Sequence, residues 1–211
     1  MDRTLFYRGL QIVARPFLSI YFRHQTHGVD NIPDTSGAVI ATNHASNLDP
    51  PLIGADVPRP LFTMAKKSLH ETPGLGYLIR SLHSFPVRRG VLDTTALRTA
   101  VELLQSGNLV LMFPEGTRSS DGRLQEARPG VGKIVAEAGA TVVPGYVSGT
   151  HRAMGKGSVF PKPVKTSVTF GDPLKFDDIL NTETDRGDYE AISESIMDSI
   201  RSIKARVESS S

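Results

Sequence analysis

The sequence contains no cysteine, and its net charge of +2 is small for a chain of 211 residues. Without cysteine the protein has no disulfide bond, no thiolate nucleophile and no cysteine-ligated metal. The absence of disulfide bonds is compatible with an intracellular location. Any catalysis must therefore use histidine, carboxylate, hydroxyl or basic side chains. The small net charge also argues against nucleic acid as a partner.

Long hydrophobic runs are also missing, because no uninterrupted apolar stretch reaches the ~20 residues needed to cross a bilayer. Four arginines interrupt the apolar residues of positions 1–24, so we expect neither a membrane-spanning helix nor a signal peptide there. We predict one or two amphipathic helices in this segment, with Pro16 opening the second. The segment either lies in the interface of an anionic membrane or packs as an ordinary helix on the domain core.

The 39% hydrophobic content is enough for one core. Apolar runs of strand length alternate with segments of helical periodicity, and no repeat or linker interrupts them. We therefore predict a single α/β domain with a central mixed, largely parallel sheet flanked by helices. Our domain boundaries are an amphipathic membrane-interface segment at 1–24, the α/β domain at 25–207 and a frayed tail at 208–211.

The predicted elements follow from periodicity and from glycine or proline at segment ends. The strands are expected at residues 27–32, 38–41, 61–65, 84–87, 108–114, 141–147 and 164–170. The helices are expected after Pro50 and at residues 74–82, 91–105, 129–138 and 189–207.

The most informative stretch carries His44 and Asp49, between the predicted strand at 38–41 and the prolines that open the next helix. A loop can fold the Asp49 carboxylate onto one ring nitrogen of His44, which leaves the other nitrogen free to accept a proton. Alternatively, Asp49 only caps the helix and His44 is an ordinary loop histidine. Both roles of Asp49 are compatible if one carboxylate oxygen caps the helix and the other orients His44.

Basic residues follow other predicted strands. Lys66, Arg89 and Arg118 should lie at the same sheet edge as His44, where ligands of open α/β sheets bind. Their convergence next to a candidate base indicates an anionic ligand, most simply a phosphate, and the backbone of Gly116-Thr117 is expected to add N–H donors. This pattern favours group transfer to a hydroxyl of a phosphorylated acceptor. The alternative is that each basic side chain is merely a solvated charge.

His24 and His27 are three residues apart, with no acidic or sulfur ligand close to them in sequence. We predict that both are loop residues rather than metal ligands.

Five blocks in this chain resemble, in the same order, those of the glycerolipid acyltransferases. They are Asn43-His44-x-x-x-x-Asp49, Ala65-Lys66-Lys67-Ser68-Leu69, Phe85-Pro86-Val87-Arg88-Arg89-Gly90, Phe113-Pro114-Glu115-Gly116-Thr117-Arg118-Ser119 and Val143-Pro144-Gly145. The chain is most similar to the bacterial 1-acyl-sn-glycerol-3-phosphate acyltransferases, over about residues 26–176. It departs from them at Ser68, where many members have an acid, and at Arg88, where some have Asp.

The resemblance implies that His44 deprotonates the free hydroxyl of lysophosphatidic acid, which attacks the thioester carbonyl of acyl-CoA or acyl-carrier protein and gives phosphatidic acid. Asp49 would orient His44 and stabilise the imidazolium, and no acyl-enzyme is needed. The residues implied to hold or shape the acceptor-phosphate site are Lys66, Arg89, Glu115, Gly116, Thr117 and Arg118.

The resemblance also implies that the enzyme needs no cofactor or metal. Residues 1–24 would anchor it as a monotopic protein on the cytoplasmic face of the cell membrane, where the lysophospholipid and the long-chain acyl donor both partition. The same blocks would serve acylation of glycerol-3-phosphate or of another lysophospholipid. A rival hypothesis is a non-catalytic membrane protein that binds anionic lipids.

Overall fold

The computed structural model of the protein describes residues 3–88, 93–180 and 184–209. Its strands are β1 (Gln25–His27), β2 (Ala38–Thr42), β3 (Leu61–Lys66), β4 (Ser84–Val87), β5 (Leu109–Met112), β6 (Thr141–Ser148) and β7 (Ser167–Phe170). Its helices are α1 (Arg3–Tyr21), α2 (Asp49–Asp56), α3 (Lys67–His70), α4 (Leu75–Ser81), α5 (Thr94–Gln105), α6 (Pro129–Ala138), α7 (Thr150–Met154), α8 (Asp177–Leu180) and α9 (Arg186–Ser209).

The strands form one sheet in the order β1-β7-β6-β2-β5-β3-β4. All neighbouring pairs are parallel except β6 and β7. Strands β2 to β6 therefore end at one edge of the sheet, which we call the carboxyl edge. Strands β1 and β7 begin at that edge, because Ser167 pairs with Ser148 on one side and with Gln25 on the other. The predicted single α/β domain with a mixed, largely parallel sheet is confirmed.

The central strands β2 and β5 are buried on both faces. On one face, Val39 and Val110 pack with α5, α6 and α9; on the other, Ile40 and Leu111 pack with α2. Burial on both faces explains why these strands appear in the sequence as continuous apolar runs rather than as alternating patterns.

The predicted strand at 27–32 is wrong. Strand β1 covers Gln25–His27, and the residues Val29–Asn31 form a 3₁₀ turn instead. The strand ends because Gly28 has a φ of +73°, a left-handed conformation that no extended strand continues through.

Most other elements differ from their predictions only at the ends. Helix α6 has the predicted bounds, whereas β7 begins three residues later than expected, and α9 begins three residues earlier and ends two residues later. Helix α5 begins after Asp93, whose carboxylate accepts the Ala96 N–H at 3.3 Å. The short helices α3, α7 and α8 were not predicted, because four or five residues do not complete two helical periods.

Helix α1 is continuous, and Pro16 lies inside it rather than opening a second helix as predicted. Polar side chains on one side of α1 reach the C-terminal end of α2. Gln11 donates to the carbonyls of Gly54 and Val57 at 2.7 and 2.9 Å, and Arg15 donates to Ala55 at 2.7 Å. These bonds satisfy carbonyl groups that a helix end otherwise leaves unpaired.

The opposite side of α1 is apolar and exposed. Its exposed large side chains are Leu5, Leu10, Ile12, Val13, Phe17 and Ile20. The helix therefore packs on the domain, as one of the two sequence-based interpretations expects, and also presents an apolar surface. Its location in a membrane interface stays a prediction. Within the described residues, no helix combines the length and hydropathy that crossing a membrane requires.

Candidate active site

The His44 imidazole and the Asp49 carboxylate lie in direct contact at the carboxyl edge. The distance from His44 Nδ1 to Asp49 Oδ2 is 2.8 Å, and Asp49 is completely buried. The same oxygen accepts the backbone N–H groups of Ala45 and Ser46, each at 2.8 Å. Three donors thus fix this carboxylate oxygen. Because an ionised carboxylate only accepts hydrogen bonds, the contact assigns the proton to Nδ1 of His44.

The prediction that Asp49 caps the helix with one oxygen and orients His44 with the other is wrong. The N-cap residue of α2 is Leu48, and Asp49 is the first helical residue. Asp49 Oδ2 takes the contact with His44, while the buried Oδ1 has no hydrogen-bond partner among the described residues. The physical reason is that the donors of the preceding loop converge on one oxygen and turn the carboxylate away from the helix.

The other ring nitrogen of His44 is available for chemistry. No hydrogen bond to His44 Nε2 is found in the part of the chain that the structure describes. The imidazole stacks on Phe113, with ring centroids 3.8 Å apart and an interplanar angle of 12°. The stacking and the Asp49 contact together fix the plane of the ring, and Nε2 keeps the lone pair that a general base needs.

The loop that carries His44 is tied to the end of β6 and to α7. Asn43 donates to the Val147 carbonyl at 3.0 Å and accepts the Val147 N–H at 2.7 Å. The Ser46 hydroxyl donates to the Met154 carbonyl at 2.6 Å. These bonds hold the loop on both sides of His44, so the position of His44 does not depend on Asp49 alone.

Glu115 joins the His44 loop to the loop after β5. It is buried, and its Oε1 accepts the His44 N–H at 3.0 Å while its Oε2 accepts from Gln125 at 2.7 Å. Burial raises the pKa of the Glu115 carboxyl, and the two donors oppose the rise. In return, the His44 carbonyl accepts the Ser119 N–H at 2.7 Å. Glu115 therefore holds two loops together, and its contacts are with protein groups.

Lys66 is the last residue of β3 and Arg118 lies in the loop after β5, both at the carboxyl edge. Lys66 is exposed at the end of β3, and continuing the strand register places it level with Pro114. Strand β3 is two strand spacings from β2, roughly 10 Å. Among the described residues, neither cationic side chain makes a hydrogen bond or an ion pair. Arg89, the third predicted phosphate ligand, lies outside the described residues, and the phosphate role of all three stays a prediction.

The expected pair of N–H donors at Gly116 and Thr117 is only partly present. Gly116 has a φ of +67° and donates its N–H to the Phe113 carbonyl at 2.9 Å, so that donor is already used. The prediction that the Gly116 N–H donates to an anion is therefore wrong, while its place in the acceptor-phosphate site stays a prediction. For the N–H groups of Thr117 and Arg118, no acceptor is found within the described residues. Those two donors remain available to an anion.

Sequence reasoning did not assign a role to Asn43, Phe113 or Gln125. Asn43 and Phe113 lie beside His44 and Glu115 in the motif blocks, which is a usable indication, but their contacts join separate strands. Gln125 lies in the irregular segment before α6 and belongs to no block. No group of three or more histidine and acidic side chains that could hold a metal ion occurs in residues 3–88, 93–180 and 184–209.

The acyltransferase family model matches residues 23–148, which is more than half of the chain. The chain belongs to the acyltransferase family. The matched part of this acyltransferase runs from just before β1 to the end of β6, and it contains Asp49, Phe113, Glu115 and Ser119, which contact His44.

Proteins similar to this acyltransferase occur in bacteria and plants. The 1-acyl-sn-glycerol-3-phosphate acyltransferase of Bacillus subtilis is 28% identical over 169 residues, which cover 80% of this chain and 82% of that protein. The 1-acyl-sn-glycerol-3-phosphate acyltransferase of Limnanthes alba is 33% identical over 144 residues, or 67% of this chain and 51% of that protein. The chain thus spans about half the length of the plant relative.

The fold of the acyltransferase also matches a solved structure. The crystal structure of the 1-acyl-sn-glycerophosphate (LPA) acyltransferase PlsC from Thermotoga maritima superposes with a TM-score of 0.76 at 26% identity. The match covers 94% of this chain and 80% of that chain. The likeness therefore extends beyond the family-model region to α1, β7 and α9.

Proposed function

We propose that this acyltransferase transfers a fatty acyl group from an acyl thioester, acyl-CoA or acyl-carrier protein, to the free hydroxyl of 1-acyl-sn-glycerol-3-phosphate, which gives phosphatidic acid. The observation that carries the proposal is the 2.8 Å contact of His44 Nδ1 with the fully buried Asp49, which leaves Nε2 without a partner among the described residues. The names of the similar bacterial and plant proteins support lysophosphatidic acid as the acceptor.

In the proposed mechanism, His44 Nε2 takes the proton of the acceptor hydroxyl as its oxygen attacks the thioester carbonyl. A C–O bond forms, and the carbonyl becomes a tetrahedral oxyanion. When the carbonyl re-forms, the C–S bond breaks and the leaving thiolate takes the proton back from Nε2. Asp49 stabilises the imidazolium that forms through its contact with Nδ1, as the aspartate of a Ser-His-Asp triad does. The reaction needs no covalent enzyme intermediate.

The acceptor phosphate is proposed to bind Lys66 and Arg118, together with the free N–H groups of Thr117 and Arg118. Lys66 and Arg118 lie at the edge that carries His44 and have no counter-ion among the described residues, which supports this assignment. Arg89 is also proposed to bind the acceptor phosphate, on the basis of the family resemblance alone. Glu115 contributes indirectly, because it holds the loop that carries Thr117 and Arg118 against the His44 loop.

We also propose that α1 lies in the interface of the membrane, on its cytoplasmic face. The apolar side of α1 is exposed: Ile12 and Ile20 are 73% and 81% accessible. A second apolar side on a helix that already packs on its domain is typical of a helix that contacts a membrane or another partner. Both proposed substrates carry long acyl chains and would meet the enzyme at a bilayer.

The activity is tested by incubating the purified protein with lysophosphatidic acid and palmitoyl-CoA, and in parallel with palmitoyl-acyl-carrier protein. Mass spectrometry should detect phosphatidic acid with at least one donor. Glycerol-3-phosphate and lysophosphatidylcholine serve as competing acceptors, and both should give a lower kcat/KM. A higher kcat/KM for either competitor, or no phosphatidic acid with both donors, would contradict the proposal.

The membrane location needs point variants rather than a deletion of residues 1–23, because Leu18 and Phe22 are buried in the domain. Ile12→Ser/Ile20→Ser should reduce sedimentation with phosphatidylglycerol vesicles by about tenfold, since two apolar side chains lose their place in the interface. Gln105→Ser, at the opposite sheet edge, is the control and should sediment like the wild type. Unchanged sedimentation of the double variant would refute this location.

A further inference from the structure

The loop between α7 and β7 exposes two large apolar side chains. Val159 is 79% accessible and Phe160 is 83% accessible, which makes Phe160 the most exposed large hydrophobic residue in the described part of the chain. Such adjacent apolar side chains on a protein surface mark a site of interaction rather than a folding contact.

Backbone hydrogen bonds fix the conformation of this loop, with its tip exposed. The Ser158 N–H donates to the Gly155 carbonyl at 3.0 Å and closes a turn in which Gly157 has a φ of +94°. The Lys162 N–H donates to the Ala153 carbonyl at 2.8 Å and closes the base of the loop. The exposure of the tip therefore follows from backbone hydrogen bonds at both ends of the loop.

The loop connects the candidate active site to α1. At its start, the Met154 carbonyl accepts the hydroxyl of Ser46, which lies in the His44 loop, at 2.6 Å. At its end, the Pro161 carbonyl accepts the Tyr21 hydroxyl of α1 at 2.9 Å. The Tyr21 ring stacks on Phe17, whose exposed side chain belongs to the apolar side of α1, with centroids 5.5 Å apart. The two ends of the loop are thus joined to the His44 loop and to α1.

The charged residues of the chain segment that carries the tip are all basic. Between residues 151 and 171 the sequence has no acidic residue and four basic ones, at Arg152, Lys156, Lys162 and Lys165. Within the described residues none of the four forms an ion pair. An aromatic tip flanked by unpaired lysines is complementary to a surface with an apolar interior and anionic headgroups.

We propose that the loop at residues 155–162 is a second membrane-contact element, which inserts Val159 and Phe160 into the interface of an anionic phospholipid bilayer. The inference rests on the proposed interfacial location of α1 and extends it. Contact at α1 alone would let the domain rotate about the helix. Contact at the loop as well holds the carboxyl edge, and with it His44, against the surface from which a lysophospholipid would enter.

The absence of tryptophan from the sequence allows a direct test with single-tryptophan variants of the full chain. Phe160→Trp should show a blue-shifted emission with phosphatidylglycerol vesicles, and vesicles with brominated acyl chains should quench it. Ile20→Trp should respond in the same way. Gln105→Trp is the matched control: α5 ends where β5 begins, at the opposite edge of the sheet, so its emission should not change.

The outcomes separate this inference from the proposal on which it rests. If Ile20→Trp responds and Phe160→Trp does not, the loop does not contact the membrane, while the location of α1 stands. If neither responds, both proposals are wrong. If both respond and Gln105→Trp does not, the loop proposal is supported.

A second measurement excludes a purely structural role of the loop. Val159→Ser/Phe160→Ser should lower turnover of lysophosphatidic acid embedded in vesicles by about fivefold or more, because membrane contact is weakened. Turnover of a monomeric short-chain lysophosphatidic acid should stay within about twofold of the wild type, because the loop makes no proposed contact with that substrate. An equal loss on both substrates would show that the tip supports folding, and would overturn the proposal.

Discussion

Two histidines of the described structure are buried, and both lie near an aspartate, yet their surroundings differ. His24 Nδ1 is 2.8 Å from the Thr166 hydroxyl, and its Nε2 is 3.2 Å from the Thr26 hydroxyl and 3.7 Å from Asp56. Asp56 is itself shared, because it also accepts from Thr26 at 2.7 Å and pairs with Arg15 at 3.1 Å. Both nitrogens of His24 are thus occupied.

His44 has the opposite arrangement. Its Nδ1 contacts a carboxylate that pairs with no cation among the described residues, and its Nε2 has no partner there. Burial and proximity to an aspartate therefore do not distinguish a base from a structural histidine. The features that distinguish His44, the proposed base, are a carboxylate at 2.8 Å from one ring nitrogen with no ion pair to a lysine or arginine, and no hydrogen-bond partner on the other nitrogen among the described residues. The prediction that His24 is a simple loop residue missed its buried network, because Asp56 and Thr166 are distant in sequence.

The largest effect should separate these two histidines. His44→Ala should lower turnover of lysophosphatidic acid by about 10²–10⁴-fold, the usual contribution of a general base. His24→Asn, which keeps a polar group near Thr166, should leave turnover within about threefold, since His24 does no chemistry in this account. The check is to measure the steady-state turnover of both variants together with their binding to vesicles. An equal loss of turnover in the two variants would contradict the assignment of His44, and not His24, as the base.

The second-largest effect should come from a change in the Asp49 carboxylate. Asp49→Asn keeps the size of the side chain but removes its charge, so it should lower kcat by about 10²-fold or more through loss of the imidazolium partner. Asp56→Asn is the matched control and should mainly lower stability, because it loses the pairing with Arg15. A rate for Asp49→Asn near that of the wild type would mean that the charge of Asp49 is not what makes His44 a base.

A smaller effect should separate proton transfer from acceptor binding at the same edge. Arg118→Ala should raise KM for lysophosphatidic acid by about tenfold, the value of one hydrogen bond to a charged group, with little change in KM for the acyl donor. Arg98→Ala, an exposed pair partner of Glu102 on α5, is the control. If KM for both substrates rises alike, Arg118 does not bind the acceptor phosphate.

The smallest effect concerns stability and pH. Burial lowers the pKa of His24 below its usual value, although Asp56 opposes the shift. As pH falls through about 6.5, the unfolded chain therefore takes up a proton before the folded chain does, and the free energy of unfolding decreases. Above that pH both states are neutral at His24 and the loss disappears.

His24→Asn should remove this part of the pH dependence. Urea unfolding at about pH 7.5 and about pH 5.5 should show a smaller loss of stability in the variant than in the wild type. Glu115, whose raised pKa has the opposite sign, is present in both proteins and cancels in the comparison. The same loss in both proteins would show that His24 does not titrate in this range.

The sequence allowed the strand, loop and helix around His44 and Asp49 to be predicted, because a buried apolar run, a short polar stretch and two prolines mark them locally. It did not show that a single oxygen of Asp49 accepts all three hydrogen bonds. That arrangement depends on the Ala45 and Ser46 N–H groups, whose direction is set by the folded loop. The sequence also did not predict contacts between residues of different strands, such as the stacking of Phe113 on His44.

Helix α1 illustrates the same limit at a larger scale. Its amphipathic pattern was recognisable, but the pattern suggests that the apolar side packs on the domain. The structure places Gln11 and Arg15 against the end of α2 and leaves Ile12 and Ile20 exposed. This side docks because carbonyl groups at the end of α2 need donors and because Leu18 packs there with Leu52 of α2, and no local pattern in α1 contains that information.

The most direct test of the account is the position of the ring proton on His44, measured by long-range proton–nitrogen correlation NMR at a pH where the imidazoles are neutral. We expect the proton on Nδ1 in the wild type, because Asp49 Oδ2 accepts it at 2.8 Å, and its partial or complete return to Nε2 in Asp49→Asn. A wild-type His44 that carries its proton on Nε2 would leave no lone pair for the acceptor hydroxyl and would contradict the proposed mechanism.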